Sequence, residues 1–128
     1  MAKILLLCAL FFMSFIIQGN CQPCGPSDIE ISQSKTGKKV QNKPEWKVTI
    51  QNKCVCTQQD IELDCKGFQT TEPIDPSILA VNQNATGECL IVKDGGILHG
   101  SRVDQVVFNY AWDTQFPFKA IATSSLCS

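Results

Sequence analysis

Histidine occurs once in this 128-residue chain, at His99, and charge of neither sign dominates. Eleven Lys and Arg stand against twelve Asp and Glu, and only 18% of residues are charged. Without a basic surplus to neutralise phosphates, an electrostatic nucleic-acid binder is excluded. No G-x-S-x-G elbow is present, so His99 lacks the setting of a serine hydrolase and reads as a loop residue. There is no glycine loop to cradle a phosphate, no convincing amphipathic helix, and no apolar run of the roughly 20 residues that span a bilayer. At 44% apolar the chain has enough greasy residues for one packed core, which argues against a disordered tail. Its length leaves no room for a second domain.

Two features are abundant instead: a short apolar start and eight cysteines. Lys3 precedes Ile4 to Ile17, broken only by Ser14, and Gln18-Gly19-Asn20 ends the run. A positive start, a short apolar centre and a small-residue border form the pattern of a secretory signal peptide. Cleavage after Cys21 puts Gly19 and Cys21 at the small positions and leaves six cysteines, so that none stays unpaired. The expected division is therefore a signal peptide over 1–21 and a single domain over 22–128, exported to an oxidising space without a membrane anchor. Cys21-Gln22-Pro23-Cys24 imitates a redox C-x-x-C, but it sits at the signal border with no βαβ unit behind it.

Alternation governs the rest. Trp46, Val48 and Ile50 share one strand face, with Glu45, Lys47, Thr49 and Gln51 opposite. Ile61, Leu63 and Cys65 repeat the pattern against Asp60, Glu62 and Asp64. Further strands are expected over 28–32, 88–92, 106–112 and 116–123. Turn signals separate them at Thr36-Gly37, Asn42-Lys43-Pro44, Asp75-Pro76, Asp94-Gly95-Gly96 and His99-Gly100. Asp75 to Ala80 is suited to one capped turn. Six or seven short strands in one domain predict an all-β fold, a small antiparallel sandwich of Ig-like or barrel-like form. Pairing 45–52 with 59–66 as a hairpin would set Lys47 against Asp64, Val48 against Leu63 and Ile50 against Ile61, a favourable register.

Six cysteines allow fifteen pairings. Cys54 and Cys56 are too close to bond each other comfortably, which leaves twelve. A zinc site would need four Cys or His ligands at suitable spacing, and the chain lacks them. No cofactor is expected. The row Asp60, Glu62, Asp64 reads as a solvated strand face. Lys35, Lys38 and Lys39, with Lys43, Lys47 and Lys53, make the early domain locally basic, either to steer an acidic partner or as a solvated loop around Gly37. Asn84-Ala85-Thr86 is an N-glycosylation sequon. Trp46, Tyr110, Trp112, Phe116 and Phe118 could offer sugar-stacking faces, but fall more simply into the core.

Five stretches together resemble the plant tapetum-determinant-like family of secreted cysteine-rich proteins: DIEISQSKTG (28–37), PEWKVTIQNKCVCTQQDIELDCKGF (44–68), IDPSIL (74–79), CLIV with the following DGG (89–96), and the segment from VVFNYAWDTQFPF to the last cysteine (106–127). The resemblance implies a signal peptide, a small β-rich domain and six framework cysteines, Cys24, Cys54, Cys56, Cys65, Cys89 and Cys127. It also implies a non-enzymatic ligand for leucine-rich-repeat receptor kinases, acting in reproductive cell-fate decisions. Departures are the close Cys54-Val55-Cys56 pair and the YAWD segment, which look like a divergent branch. Members of that branch also carry the label of a β-1,3-N-acetylglucosaminyltransferase family. The residues do not support that label, since Glu62-Leu63-Asp64 only imitates a metal-binding acidic pair. The expected function is a secreted ligand or recognition protein that meets a receptor ectodomain, with a cell-wall carbohydrate-binding module as the alternative and a small glycosyltransferase-like enzyme as the third choice.

Overall fold

The computed structural model describes residues 24–81 and 87–127. The expected signal peptide, Cys21 and the Asn84 sequon lie outside the described residues. Seven strands run in the order β1 (Ile29–Val40), β2 (Lys43–Asn52), β3 (Thr57–Asp64), β4 (Leu79–Val81), β5 (Glu88–Ile91), β6 (Gln105–Ala111) and β7 (Lys119–Leu126). They form two antiparallel sheets, β1-β2-β6 and β4-β5-β3-β7. This is the all-β sandwich that the alternation predicts, with the three disulfides expected of its six cysteines.

The inward sets are those the period of two assigns. Val48, Ile50, Ile61 and Leu63 have no exposed surface, and Tyr110, Ile91, Leu79 and Leu98 join them. Burying one such side chain stabilises the fold by about 1.5–3 kcal/mol. Phe68, Phe108, Phe116 and Phe118 meet Tyr110 or one another edge-on or tilted, with centroids 4.8–5.6 Å apart.

The expected hairpin between 45–52 and 59–66 does not form. β2 pairs with β1 and β6, whereas β3 lies in the other sheet between β5 and β7. The same apolar alternation serves two strands facing each other across the core as well as two strands side by side. What separates them is the corner at Lys53–Cys56. There Asn52, fully buried, donates through Nδ2 to the Cys56 carbonyl (2.7 Å) and the Leu98 carbonyl (3.0 Å). Its Oδ1 accepts from the Cys54 N–H and from Gln58 Nε2, both at 3.1 Å. The chain is thus turned from one sheet into the other.

Two more expectations need correction. Thr36-Gly37 is not a turn within a solvated loop: β1 runs on to Val40, and the register slips between Lys35 and Lys39. Gly37, at φ +92, takes a conformation that costs other residues dearly, as such bulges often require. The reversal falls at Gln41-Asn42, both at positive φ between the paired Val40 and Lys43, as in a two-residue hairpin turn. The C-terminal strand begins at Lys119 rather than 116. The capped turn is present, with Asp75 Oδ1 accepting from the Ser77 N–H (2.9 Å) and hydroxyl (2.7 Å).

Candidate functional site

All six cysteines of the described domain are paired: Cys24 with Cys54, Cys56 with Cys127, and Cys65 with Cys89. Cys24 therefore bonds Cys54, which removes it from any C-x-x-C pair with Cys21. The sulfurs of Cys24, Cys56 and Cys127 lie within 4.8 Å of one another, but each is already half of a disulfide. They are framework, as Cys65–Cys89 is within the core.

The charges separate by sheet. β1 and β2 carry Lys35, Lys38, Lys39, Lys43 and Lys47 against Glu30 and Glu45, and β6 carries no charge. The other sheet carries Asp60, Glu62, Asp64 and Glu88 against Lys119. Lys35, Lys38, Lys39 and Lys47 are exposed. The β1–β2 hairpin thus carries exposed lysines on both faces, Lys35 on the face of its partner Trp46 and Lys47 on the opposite one.

Aromatic rings brace the turn half of this hairpin. Lys35 Nζ lies 5.4 Å from the Trp46 ring centre, and Lys43 Nζ 5.1 Å from that of Trp112. Lys43 also reaches Asp113 Oδ2 at 2.7 Å. Trp46 Nε1 donates to the Trp112 carbonyl (3.2 Å). Tyr110 is fully buried, its hydroxyl donating to Gln33 Oε1 (2.5 Å) and accepting from the Phe116 N–H (2.8 Å). Burial holds its phenol above the ordinary value. The aromatics therefore do not form an open sugar platform: Tyr110 is enclosed, and Trp46 and Trp112 are half-buried with a lysine over each.

Beside Trp112 lies a groove of about 550 Å³, lined also by Phe68, Pro73, Ile74 and Leu79, and no carboxylate lines it. A second groove, of about 430 Å³, lies on the outer face of the acidic sheet. Its lining includes Glu62 and Glu88, diagonal neighbours on β3 and β5, a relation that separates residues by about 7–8 Å. That spacing alone would suit paired-carboxylate chemistry. The remaining lining, Ala80, Val81, Cys89 and Leu90, offers no side-chain donor to orient a sugar. Asp60 and Asp64 are exposed, and Asp64 stands opposite Lys119 instead of the expected Lys47.

His99 Nδ1 meets Asp104 Oδ2 at 2.5 Å, and the His99 N–H reaches the same oxygen at 2.9 Å. These bonds hold the Asp104 carboxyl below the usual range. Both side chains are substantially exposed, and His99 lines neither groove. The pair closes the 99–104 loop.

Sequence reasoning misses the carboxyl pair behind the hairpin. Glu45, placed on the solvated face by alternation, is only 2% exposed. Thr36 Oγ1 donates to its Oε1 at 2.6 Å, and Glu72 is brought beside it on a segment whose Thr71 N–H bonds Ala111, the residue that pairs with Glu45. The Thr36 hydroxyl, and then the neighbouring Glu72, hold Glu45 below the usual range, while burial and then Glu45 push Glu72 up to about 7. The segment bearing Glu72 crosses the end of the sheet. Thr71 Oγ1 donates to the Val40 carbonyl (2.8 Å), the Thr71 N–H to the Ala111 carbonyl (2.9 Å), and the Ala111 N–H to Thr70 Oγ1 (3.0 Å). No periodic signal marks Thr70-Thr71-Glu72.

These features define a small disulfide-stapled β-sandwich with one basic, aromatic-braced hairpin. The tapetum determinant 1 C-terminal family model matches residues 25–127, and the chain belongs to that family. No curated protein and no solved structure matches the chain. Three disulfides and this family are consistent with a secreted protein.

Proposed function

We propose that this protein is an extracellular, non-enzymatic ligand or recognition protein that docks on an acidic patch of a receptor ectodomain through the β1–β2 hairpin. The observation that carries this reading is the exposed set Lys35, Lys38, Lys39 and Lys47 on one strand pair, while the acidic residues gather on the other sheet. Opposite charge speeds encounter and fixes orientation more than it adds affinity. Membership in the tapetum determinant family favours a leucine-rich-repeat ectodomain as the receptor type, with a role in cell fate or reproductive development. The carbohydrate alternative is weaker, because lysines cover the tryptophans and Tyr110 is enclosed.

The test is binding of the oxidised, secreted protein to a panel of leucine-rich-repeat receptor ectodomains, with a glycan array alongside. A specific ectodomain should be bound with an on-rate that falls as salt rises. The double variant Lys39→Glu/Lys47→Glu should weaken that binding about tenfold or more and keep its unfolding midpoint. Glycan binding with no ectodomain bound would reverse the reading, as would turnover of a sugar donor by the purified protein.

A further inference from the structure

We infer that Glu45 and Glu72 share one proton and so form a latch, which clips the β1–β2 hairpin to the Thr70–Glu72 segment in mildly acidic solution and loosens it toward neutral pH. The inference rests on how the two groups are placed. Glu45 lies on β2 with 2% exposure, so water cannot shield its charge. Glu72 Oε1 is buried and finds no hydrogen-bond partner among the described residues. Two ionised carboxylates in contact would repel strongly there, whereas a carboxylic acid donating to a carboxylate forms a strong charge-assisted hydrogen bond.

The surroundings decide which oxygen carries the charge. Thr36 on β1 donates to Glu45 Oε1, so Glu45 keeps the negative charge and Glu72 the proton. Lys38 on β1 favours the charged form of both. Lys43, at the start of β2, is engaged with Asp113. Glu45 stands opposite Ala111 on β6, a strand without charged residues, and Glu72 is the only charged residue of the segment 67–74.

Linkage fixes the sign. Glu72 binds its proton more tightly with the latch closed than with it open, where an ordinary glutamate titrates near 4.5. Closure is therefore favoured in full at or below about 4.5 as far as Glu72 is concerned, and the advantage is lost as pH rises to about 7. Glu45 acts in the opposite sense, and its contribution fades only below the ordinary carboxylate range. The pair thus holds best on the mildly acidic side of neutrality. If the hairpin is also the docking element proposed above, pH would set how firmly the lysines are presented. That consequence rests on the docking reading; the latch does not, and it is tested without a partner.

The experiment follows the side-chain carboxyl carbons by NMR in the oxidised protein, together with amide exchange of Thr71 and Ala111 corrected for intrinsic rates. Glu72 should titrate near neutrality, and its midpoint should fall by about one pH unit or more in Glu45→Gln. The latch opening seen at both amides should rise up to about tenfold per pH unit between pH 5 and 7, then level off. Glu72→Gln, fixed in the neutral form, should flatten this dependence. An ordinary carboxylate midpoint for Glu72, or one unmoved by Glu45→Gln, overturns the latch. Should either variant fail to fold, the titration and exchange profile of the unaltered chain decide the matter.

Discussion

At one end of β2, Asn52 holds the sheet-to-sheet corner with four hydrogen bonds, flanked by the Cys24–Cys54 and Cys56–Cys127 disulfides. At the other end, Glu45 holds the hairpin with one hydroxyl and a shared proton. The groups that hold the corner, Asn52, Gln58 and the two disulfides, are neutral or covalently fixed, so that end should be indifferent to mild changes of pH. The hairpin end depends on the ionisation of two carboxyls and displays the lysines. A rigid frame at one end and an adjustable presenting element at the other suit a recognition protein, whose exposed strand pair must be held without being locked.

The largest effect is expected from breaking the corner. Asn52→Leu removes two donors and one doubly used acceptor, and leaves the Leu98 carbonyl short of one partner and Gln58 Nε2 without its acceptor. Buried polar groups stripped of partners cost about 1–3 kcal/mol each, so a loss of about 3–5 kcal/mol is expected in urea unfolding. A loss under 1 kcal/mol would mean that the disulfides alone turn the chain. Gly100→Ala strikes the same corner from outside. A Cβ there would lie 2.3 Å from the Val55 carbonyl oxygen and 2.6 Å from that of Cys54. The Cys54–Val55 backbone, held beside two disulfides, cannot yield freely, and overpacking of this kind costs about 1–3 kcal/mol. The same measurement at pH 5 and pH 8 should give the same penalty for both variants.

The two ends also differ in how far the sequence discloses them. Strict alternation in Trp46-Val48-Ile50 and Ile61-Leu63-Cys65 reveals strands, their inward faces and hence a sandwich. It cannot reveal that β2 and β3 lie in different sheets, because side-by-side and face-to-face strands bury the same residues. The corner that decides this is set by Asn52 and Gln58, polar side chains whose burial no pattern announces. At the hairpin, Lys35, Lys38 and Lys39 are legible as a basic cluster, but Thr36-Gly37 reads as a turn because a bulge and a turn favour the same residues. Glu45 follows the polar phase of its strand and is nonetheless buried, since Thr70-Thr71-Glu72 crosses over it from a distant part of the chain. That contact is long-range and leaves no local trace.

The smallest expected effect sharpens the contrast most. Thr36→Val keeps the shape of the side chain and removes the hydroxyl that donates to Glu45 Oε1 at 2.6 Å. A bond to a charged group is worth about 1.5–3 kcal/mol when buried, but Thr36 itself is exposed, so a loss of about 1 kcal/mol is expected at pH 6. The informative part is the direction of titration. Without the hydroxyl, Glu45 loses the first of the groups that favour its charge, and its midpoint should rise. The proton would then be divided more evenly between the two carboxyls, and the Glu72 signal should share its titration with Glu45. If instead Thr36→Val lowers stability equally at pH 5 and pH 8 and leaves both carboxyl signals in place, the threonine acts only as packing. The hairpin end would then differ from the corner in exposure but not in its response to protons.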